Sequence, residues 1–550
     1  MYNENYSIIF SSMTGNTRKL ADKIHEILPK ESCDYFGTAD AQGIKSELLY
    51  IGFWTDKGNA DSDTLDFLSK LKNKKIFLFG TAGFGGSDAY FQRILGNVKS
   101  AIDSSNTIVG EYMCQGKMPQ SVRERYVKMK ENPEHPDNID ALIENFDKAL
   151  SHPDADDMER LKNIIMYNFT FNIPTKIHFG KDTISSLSEL KAYGSKVLLV
   201  YGGGSIKKNG LYDTAMKILK DAGLTVFELS GVEPNPKIET VRKGVEICKN
   251  EGIDMVLAIG GGSTIDCSKV VAAGARYDGD AWDLVLDGSK VKAALPIFDV
   301  LTLSATGTEM DPFAVISDMS KNEKWGTGSP YMVPTMSILN PEYTFSVSKK
   351  QTAAGTADMM SHTMENYFSM ENADCQKFMA EGLLRTMIKN GPVALAQPDN
   401  YEARANLMWA GTHAINGVVG DGCSPAWCVH PMEHELSAFY DITHGEGLAI
   451  LTPAWMEHIL NDDTLPMFVE FAKNVWGLSG DDDYALAHAG IDALKKFFFE
   501  TMGIPANLRA VGITDDRNFE VMAKKACEGS KGSFVPLSKD DIVEIYRAAF

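Results

Sequence analysis

The stretch Met255-Val256-Leu257-Ala258-Ile259-Gly260-Gly261-Gly262-Ser263-Thr264-Ile265-Asp266 decides how the larger part of this chain folds. It begins with a continuous apolar run, which is typical of a strand buried on both faces of a parallel sheet. The glycines that follow indicate a tight turn, and the polar residues after them begin a helix. A glycine turn between a buried strand and a helix presents backbone N–H groups to an anion. The stretch therefore predicts an α/β unit that holds the phosphates of a nucleotide.

A second glycine turn, Gly202-Gly203-Gly204-Ser205, follows the apolar run at 197–200. Two such turns on neighbouring strands suit a dinucleotide, because one can lie near the adenosine and the other at the pyrophosphate. Neither turn reads G-x-G-x-x-G, so the usual dinucleotide fingerprint is absent. The polar run at 302–309 strengthens the set. The residues predicted to contact the cofactor are Gly202, Gly203, Gly204, Ser205, Lys207, Gly260, Gly261, Gly262, Ser263, Asp266, Lys269, Thr302, Ser304 and Thr306.

The first glycine turn also bears on which nicotinamide cofactor is bound. A site selective for NAD usually places an acidic residue near the adenosine ribose. Here the turn offers Ser205, with Lys207 and Lys208 close behind it. Because two cations attract a 2′-phosphate, the sequence predicts NADP(H) over NAD(H).

Histidines cluster with a carboxylate in the second half of the sequence. Asp358 and His362 are four residues apart in a predicted helix and so share one face. His430 and His434 are likewise four apart, and His444 follows soon after them. One carboxylate and three imidazoles form a credible ligand set for Zn²⁺ or Fe²⁺. Spacing alone does not decide which of the histidines bind the metal.

Residues 1–150 alternate short apolar runs with helical patterns, which indicates another parallel sheet with helices on both faces. The loop Ser11-Ser12-Met13-Thr14-Gly15-Asn16-Thr17 lies between the first strand and the first helix, where hydroxyl and N–H groups can hold a phosphate. Two later loops, 54–61 and 81–87, carry aromatic residues among small ones, as loops that pack on a flat ring do. A simple helix cap and turn is the alternative interpretation of the first loop.

These three loops resemble those of flavodoxins, across residues 1–150. The resemblance implies FMN and an electron-transfer role, for which we expect an external redox partner. The implied phosphate contacts are Ser12, Thr14, Gly15, Asn16 and Thr17, and the implied ring contacts are Trp54 and Phe84.

Residues 163–550 resemble the group III, iron-type alcohol dehydrogenases, most closely the NADPH-dependent butanol dehydrogenases. The resemblance is carried by the two runs 260–266 and 302–309, by Asp358-x-x-x-His362, and by His430-Pro431-Met432-Glu433-His434-Glu435-Leu436-Ser437-Ala438-Phe439-Tyr440-Asp441-Ile442-Thr443-His444-Gly445. It implies that the metal ligands are Asp358, His362, His430 and His444. It also implies that His434 is a catalytic residue near the nicotinamide that does not bind the metal.

The same resemblance implies a mechanism. The metal would polarise an aldehyde oxygen, NADPH would deliver hydride, and His434 would help to supply the proton. The expected substrates are small aliphatic aldehydes of the butanal type. One alternative is a glycerol-type polyol dehydrogenase on the same fold, and another is an FMN electron carrier whose second part is a non-catalytic scaffold. In a third, FMN exchanges electrons with the nicotinamide of the same chain.

The expected fold class is α/β, with a flavodoxin-like doubly wound domain, a Rossmann-like α/β domain and an all-helical metal-binding domain. Their expected bounds are 1–150, 163–350 and 351–550, with a linker at 151–162.

The charge composition disfavours some classes of binding partner. Lys and Arg number 54 against 74 Asp and Glu, a net charge of −20, which disfavours nucleic acid and anionic membranes. The eight cysteines are scattered, and no signal peptide or apolar run of bilayer length stands out. We therefore expect a reduced, cytoplasmic protein that acts on a small molecule, and we expect a homo-oligomer.

Overall fold

Two parallel sheets and a group of packed helices make up this protein. A computed structural model describes residues 5–28, 30, 33–38, 46–84, 88–132, 135–136, 138–165, 171–369, 373–423, 427–529, 534–535 and 537–550. The chain divides into two units, Met1–Phe169 and Thr170–Phe550. Within the described ranges, every helix is too short or too polar to cross a membrane.

The first unit is built around a parallel sheet. Its elements are β1 (Tyr6–Phe10), α1 (Asn16–Ile27), β2 (Cys33–Gly37), β3 (Leu48–Asp56), β4 (Asn59–Ala60), α2 (Ser62–Lys70), β5 (Lys75–Ala82), α3 (Asp88–Lys99), β6 (Thr107–Gln115), α4 (Gln120–Lys130), α5 (Ile139–Ala149) and α6 (Ala155–Ile165). The parallel strands lie in the order β2-β1-β3-β5-β6, and β4 pairs antiparallel with β3. With β4 set aside, this is the 2-1-3-4-5 strand order of flavodoxins. The predicted flavodoxin-like fold is confirmed.

The segment 54–61 differs from the predicted open loop. Strand β3 continues through Trp54 to Asp56, and β4 returns beside it as a short hairpin. The strand is longer than predicted because Trp54 still pairs in register with Thr81 of β5. In the third predicted loop, residues 85–87 lie outside the described residues.

The segment predicted to be a linker, 151–162, also needs correction. Most of it belongs to α6, whose apolar residues Met158 and Leu161 are three positions apart on one face. Leu161 is fully buried in the same apolar cluster as Ile8 and Leu20. The packed core of the first unit therefore extends well past residue 150.

The second unit contains the other sheet. Its elements up to residue 339 are β7 (Lys176–Phe179), β8 (Lys196–Tyr201), α7 (Ser205–Lys208), α8 (Leu211–Asp221), β9 (Thr225–Ser230), α9 (Ile238–Glu251), β10 (Met255–Gly260), α10 (Gly262–Gly274), α11 (Ala281–Leu286), β11 (Ile297–Leu301), β12 (Phe313–Asp318), β13 (Glu323–Gly328) and β14 (Met336–Leu339). Six strands form a parallel sheet in the order β7-β14-β11-β10-β8-β9. Strands β12 and β13 form a separate antiparallel hairpin.

This strand order brings the predicted polar turns to one edge of the sheet. Strand β10 lies between β8 and β11, and all three are parallel. The turns that follow them begin at Gly202, Gly261 and Thr302, so they lie at neighbouring carboxyl ends. From β8 the chain moves outward to β9 and then returns to β10 on the opposite side of β8. Ligands of open α/β sheets bind at such a switch point.

After residue 339, the described part of the second unit contains helices and their connecting loops and no strand. Its helices are α12 (Lys349–Tyr367), α13 (Asp374–Ala396), α14 (Tyr401–His413), α15 (Val429–Tyr440), α16 (His444–Ile459), α17 (Leu465–Glu470), α18 (Asp483–Lys495), α19 (Phe519–Gly529) and α20 (Lys539–Ala548). Helix α12 is buried over nearly its whole length. The predicted all-helical part is confirmed, and α12 is the helix on which its candidate site is built.

Candidate active site

Three helices position the predicted metal ligands. Helix α12 carries Asp358 and His362 one turn apart, α15 carries His430 in its first turn, and α16 begins at His444. The start of α16 lies very close to α12: a Cβ atom on Gly445 would be only 2.0 Å from the carbonyl oxygen of Ala354. Glycine at this position thus lets His444 reach the side chains of α12.

The three predicted histidine ligands all lie near one oxygen of Asp358. Asp358 Oδ1 lies 3.6 Å from His362 Nε2, 3.8 Å from His430 Nε2 and 3.7 Å from His444 Nε2. These distances are long for hydrogen bonds, whereas a four-coordinate ion with bonds of about 2.0–2.1 Å places its ligand atoms roughly 3.3–3.4 Å apart. Among the described residues, Asp358 Oδ1 and His430 Nε2 are buried without a hydrogen-bond partner. The donor set therefore fits a divalent metal ion.

The electrostatics of Asp358 and His362 suit metal binding. Burial lowers the pKa of His362 to about 3, so this imidazole is neutral and keeps a lone pair for a metal. Burial acts against ionisation of Asp358, but the neighbouring imidazoles hold its pKa well below the usual range. The site thus presents a carboxylate beside a neutral imidazole at neutral pH.

His434 lies beside this ligand set. Its ring centroid is 6.2 Å from that of His430 and 5.6 Å from that of His444. The ring is partly accessible, and the surrounding protein lowers its pKa well below the usual value through desolvation. A neutral imidazole at this place can accept or donate a proton next to the metal site.

Three residues of the site were absent from the sequence predictions. Glu365 contacts Nδ1 of His430, and Glu433 contacts Nδ1 of His444. Lys324 of β13 places its Nζ 3.2 Å from Glu433 Oε2. A local signal for the two glutamates exists, because each follows a ligand histidine of its own helix by three residues. Lys324 has no such signal, since it comes from the hairpin.

The predicted dinucleotide turns have the shape that a phosphate ligand needs. Gly203 and Gly204 face open space, and Gly204 has a φ of +94°, which favours glycine. Helix α10 starts directly after Gly261, so its first N–H groups face the same edge of the sheet. In the described part of the chain, Ser304 Oγ is buried without a partner, as expected of a hydroxyl awaiting a ligand.

Two residues predicted to contact the cofactor, Lys269 and Asp266, are instead bonded within the protein. Lys269 is fully buried, and its Nζ donates to the side chain and carbonyl of Asp311 and to the carbonyl of Phe313, each at 2.8 Å. Asp266 accepts hydrogen bonds from Thr308 Oγ1 at 2.7 Å and from the N–H of Val315 at 2.9 Å. These contacts brace the turn after β11 and the β12–β13 hairpin, and they leave Lys269 no hydrogen for a cofactor.

Two more predicted residues, Gly262 and Thr306, pack against each other. A Cβ atom on Gly262 would lie 2.5 Å from Thr306 Oγ1. Glycine therefore permits the close contact between the first turn of α10 and the loop after β11.

The first glycine turn has an acidic neighbour that the sequence did not reveal. Glu228 of β9 accepts hydrogen bonds from the hydroxyls of Tyr201 at 2.6 Å and Tyr212 at 2.7 Å. The ammonium of Lys207 lies 3.8 Å from the Glu228 carboxylate and sits over both tyrosine rings. Glu228 therefore offsets part of the positive charge that the sequence placed at this turn.

The predicted phosphate loop of the first unit encloses the start of α1. Gly15 precedes this helix with a φ of +82°, and Ser12 Oγ accepts a hydrogen bond from the N–H of Arg18 at 3.2 Å. Asn16 donates to Thr14 Oγ1 at 2.8 Å, and in the described part its own Oδ1 is buried and unpaired. Thr17 Oγ1 lies 3.1 Å from Thr81 Oγ1. The residues fit a phosphate group at a helix N-terminus.

The two residues predicted to contact the flavin ring, Trp54 and Phe84, lie in different local settings. Trp54 lies in β3 with intermediate exposure. Phe84 is 37% exposed, with its ring 6.5 Å from that of Tyr126. The sequence prediction missed Asp61, which caps α2 and accepts a hydrogen bond from Ser11 of the phosphate loop.

Comparisons with known proteins relate both units to families. A model of the family described as iron-containing alcohol dehydrogenase matches residues 174–341, and one described as Fe-containing alcohol dehydrogenase family, C-terminal, matches residues 352–550. A flavodoxin domain model matches residues 7–166. One family model thus matches the first unit, and one matches each of the two parts of the second unit.

Individual relatives agree with this assignment. NADH-dependent butanol dehydrogenase A of Clostridium acetobutylicum is 56% identical over 391 residues, which are 70% of this chain and 100% of that protein. The NADPH-dependent aldehyde reductase YqhD of Escherichia coli is 39% identical, over 66% of this chain and 93% of that protein. The crystal structure of NADH-dependent butanol dehydrogenase A from Thermotoga maritima superposes with a TM-score of 0.67 at 42% identity, covering 70% of this chain and 98% of that one. The chain therefore belongs to the iron-containing alcohol dehydrogenase family, with a flavodoxin domain ahead of the part that the family shares.

Proposed function

We propose that this alcohol dehydrogenase interconverts small aliphatic aldehydes of the butanal type and their alcohols, with hydride supplied by NADPH. We further propose that Asp358, His362, His430 and His444 hold the divalent metal. The observation that carries this proposal is the placement of Asp358 Oδ1 at 3.6–3.8 Å from three imidazole Nε2 atoms. The names of the relatives from Clostridium acetobutylicum and Escherichia coli support the aldehyde and alcohol class.

The reaction needs three things from the chain: metal ligands, a dinucleotide site and a group that handles a proton. Asp358, His362, His430 and His444 would hold a divalent ion, which would supply Lewis-acid chemistry toward a carbonyl oxygen. The turns after β8, β10 and β11 bind the dinucleotide, so that hydride transfer takes place at the edge of the sheet. His434 handles the proton at the oxygen of the product, because its imidazole is neutral and lies next to the ligand histidines.

NADPH is the form that Ser205, Lys207 and Lys208 favour at the first glycine turn, since a 2′-phosphate needs hydroxyl and cationic partners. Glu228 opposes this preference through its charge. Both of its oxygens are hydrogen bonded to tyrosine hydroxyls, and Lys207 and Lys208 are both exposed at the turn. We therefore propose NADPH as the preferred donor and NADH as a weaker one.

In the first unit we propose FMN, with its phosphate at the N-terminus of α1. The open glycine turn at Gly15 and the start of α1 directly after it support this placement. Trp54 and Phe84 remain the proposed ring contacts. The isoalloxazine ring supplies one- and two-electron chemistry when FMN is bound.

An anaerobic absorbance experiment tests the proposed function. NADPH is added to the full-length protein reconstituted with Fe²⁺ or Zn²⁺ and FMN, and butanal is added afterwards. We expect NADPH to be consumed only after butanal arrives, and we expect chelation of the metal to abolish this consumption. If NADPH is not consumed even with the metal restored, the proposed dehydrogenase reaction is wrong. Bleaching of a flavin band by NADPH before butanal is added would show that FMN and the nicotinamide exchange electrons.

A further inference from the structure

We propose that Glu365 and Glu433 are positioning residues that fix His430 and His444 as ligands through Nε2 and set how tightly the site binds a divalent ion. The inference rests on the metal site of the proposed function and deepens it. Neither glutamate touches the substrate or the cofactor in this proposal, because each acts through a histidine.

Glu365 is a buried carboxylate with three contacts to the start of α15 and one, at 3.4 Å, to Ser361 Oγ of its own helix. It is 1% exposed and accepts hydrogen bonds from the backbone N–H groups of Val429 at 3.1 Å and His430 at 3.2 Å. Its third contact is to His430 Nδ1. An ionised carboxylate only accepts hydrogen bonds, so the proton of a neutral His430 must be on Nδ1. The lone pair is then on Nε2, the atom that faces Asp358.

Glu433 repeats this arrangement at the next ligand. It is fully buried, contacts His444 Nδ1, and also accepts a hydrogen bond from Ser437 Oγ. The side of His444 that remains is Nε2, which lies 3.7 Å from Asp358 Oδ1. A carboxylate thus orients each of two histidines, and such partners raise the basicity of the ligand as well as fixing its ring.

The third ligand histidine is held differently. Within the described ranges, His362 Nδ1 is buried without a hydrogen-bond partner. Its ring instead stacks on that of His430, with centroids 4.6 Å apart and an interplanar angle of 15°. Two buried glutamates therefore orient the ligand histidines of α15 and α16, whereas His362 is already aligned with Asp358 by their shared helix.

The charges of the site match a dication. With their carboxylates ionised, Asp358, Glu365 and Glu433 contribute three negative charges, and Lys324 contributes one positive charge 3.2 Å from Glu433. The remaining two negative charges are buried, and burying unpaired charge is costly. A divalent ion balances them, so removal of one glutamate charge should weaken its binding.

The test measures metal affinity directly in the full-length chain. The metal-free protein is titrated with Co²⁺ against a competing chelator, and the visible absorption of bound Co²⁺ reports the ligand arrangement. Glu365→Gln and Glu433→Gln keep the shape of the side chain and remove its charge. Glu381→Gln is the matched control, because Glu381 is buried in the same helical part, but its described contacts, to Tyr367, Asn474 and Arg385, include no predicted metal ligand.

We expect the dissociation constant for Co²⁺ to rise by about 10- to 100-fold in Glu365→Gln and in Glu433→Gln, with altered absorption bands. Glu381→Gln should bind as the wild type does. Thermal unfolding of the metal-free proteins separates lost positioning from lost folding, and if Glu365→Gln does not fold, Glu433→Gln decides. Wild-type affinity and spectra in a folded variant of both glutamates would overturn the inference. A wild-type protein that binds no Co²⁺ would overturn the metal site of the proposed function instead.

Discussion

The carboxyl group of Glu309 is hydrogen bonded to the hydroxyl of Thr412. This bond links the turn after β11 to helix α14. The Thr412 hydroxyl also donates to the carbonyl of Met408 at 3.0 Å, so its single hydrogen cannot serve both oxygens fully. A proton on Glu309 resolves this competition, because the carboxylic acid can donate to Thr412. Burial acts in the same direction, since it raises the pKa of Glu309 to about 7.

Glu309 should make the stability of the second unit depend on pH. Its pKa in the folded state lies above the value of 4.5 for the exposed group, so the folded state holds a proton that the unfolded state has lost. The stabilisation is complete below about pH 4.5 and is lost as the pH rises through about 7. We expect Glu309→Gln, a neutral isostere, to lose less stability than the wild type between pH 5 and pH 8.

Urea unfolding at several pH values checks this prediction. Other buried carboxyls titrate in both proteins, so the difference between wild type and variant isolates Glu309. Equal losses in the two proteins would mean that Glu309 is ionised throughout this range.

Replacing Gly445 should disturb the metal site. A methyl group in Gly445→Ala would collide with the carbonyl oxygen of Ala354, so α16 and with it His444 must move away from α12. We expect a loss of about 1–3 kcal/mol in the free energy of unfolding, together with weaker metal binding. The matched control is Gly382→Ala in α13, where a Cβ meets nothing within 4 Å. That variant should gain roughly 0.5–1 kcal/mol from helix propensity. A metal content equal to the wild type's in Gly445→Ala would contradict the prediction.

Glu228 should influence the choice between the two nicotinamide cofactors. Its carboxylate lies 3.8 Å from Lys207 and repels a nearby 2′-phosphate. Glu228→Gln removes the charge, and its amide can accept from one tyrosine hydroxyl and donate to the other, so it should raise the ratio of kcat/KM for NADPH to that for NADH. Lys207→Met should lower the same ratio. Steady-state kinetics with both cofactors measure these ratios, and a ratio that is unchanged in both variants would place the 2′-phosphate away from this turn.

Asp358 is the only carboxylate in the proposed ligand set. Asp358→Asn removes the negative charge that faces all three Nε2 atoms. We expect the bound metal and the butanal-dependent consumption of NADPH both to fall by more than about 100-fold, beyond the range for residues that only orient a ligand. Metal analysis and initial rates are the measurements. Any flavin bound by the first unit should be retained, which provides an internal control for folding.

Local sequence patterns predicted much of the fold and of the candidate site. A continuous apolar run such as 255–259 requires burial on both faces, which indicates a parallel sheet before any tertiary contact is known. The spacing of Asp358 and His362 likewise places both on one helix face. The linker prediction at 151–162 failed because a polar, proline-bearing start concealed the apolar positions Met158 and Leu161 of α6.

By itself, the sequence determined the two sheets, the helical part and the kinds of residue at the metal site, because spacing along one strand or helix is a local property. Only the tertiary structure decided which distant groups meet. It places Glu365 in contact with His430, and Lys324 in contact with Glu433. It also buries Lys269 in the core, where its ammonium bonds to Asp311 instead of lying at the nucleotide edge. These choices depend on how separate elements pack, and the proton affinity of a carboxyl such as Glu309 depends on the burial that packing creates.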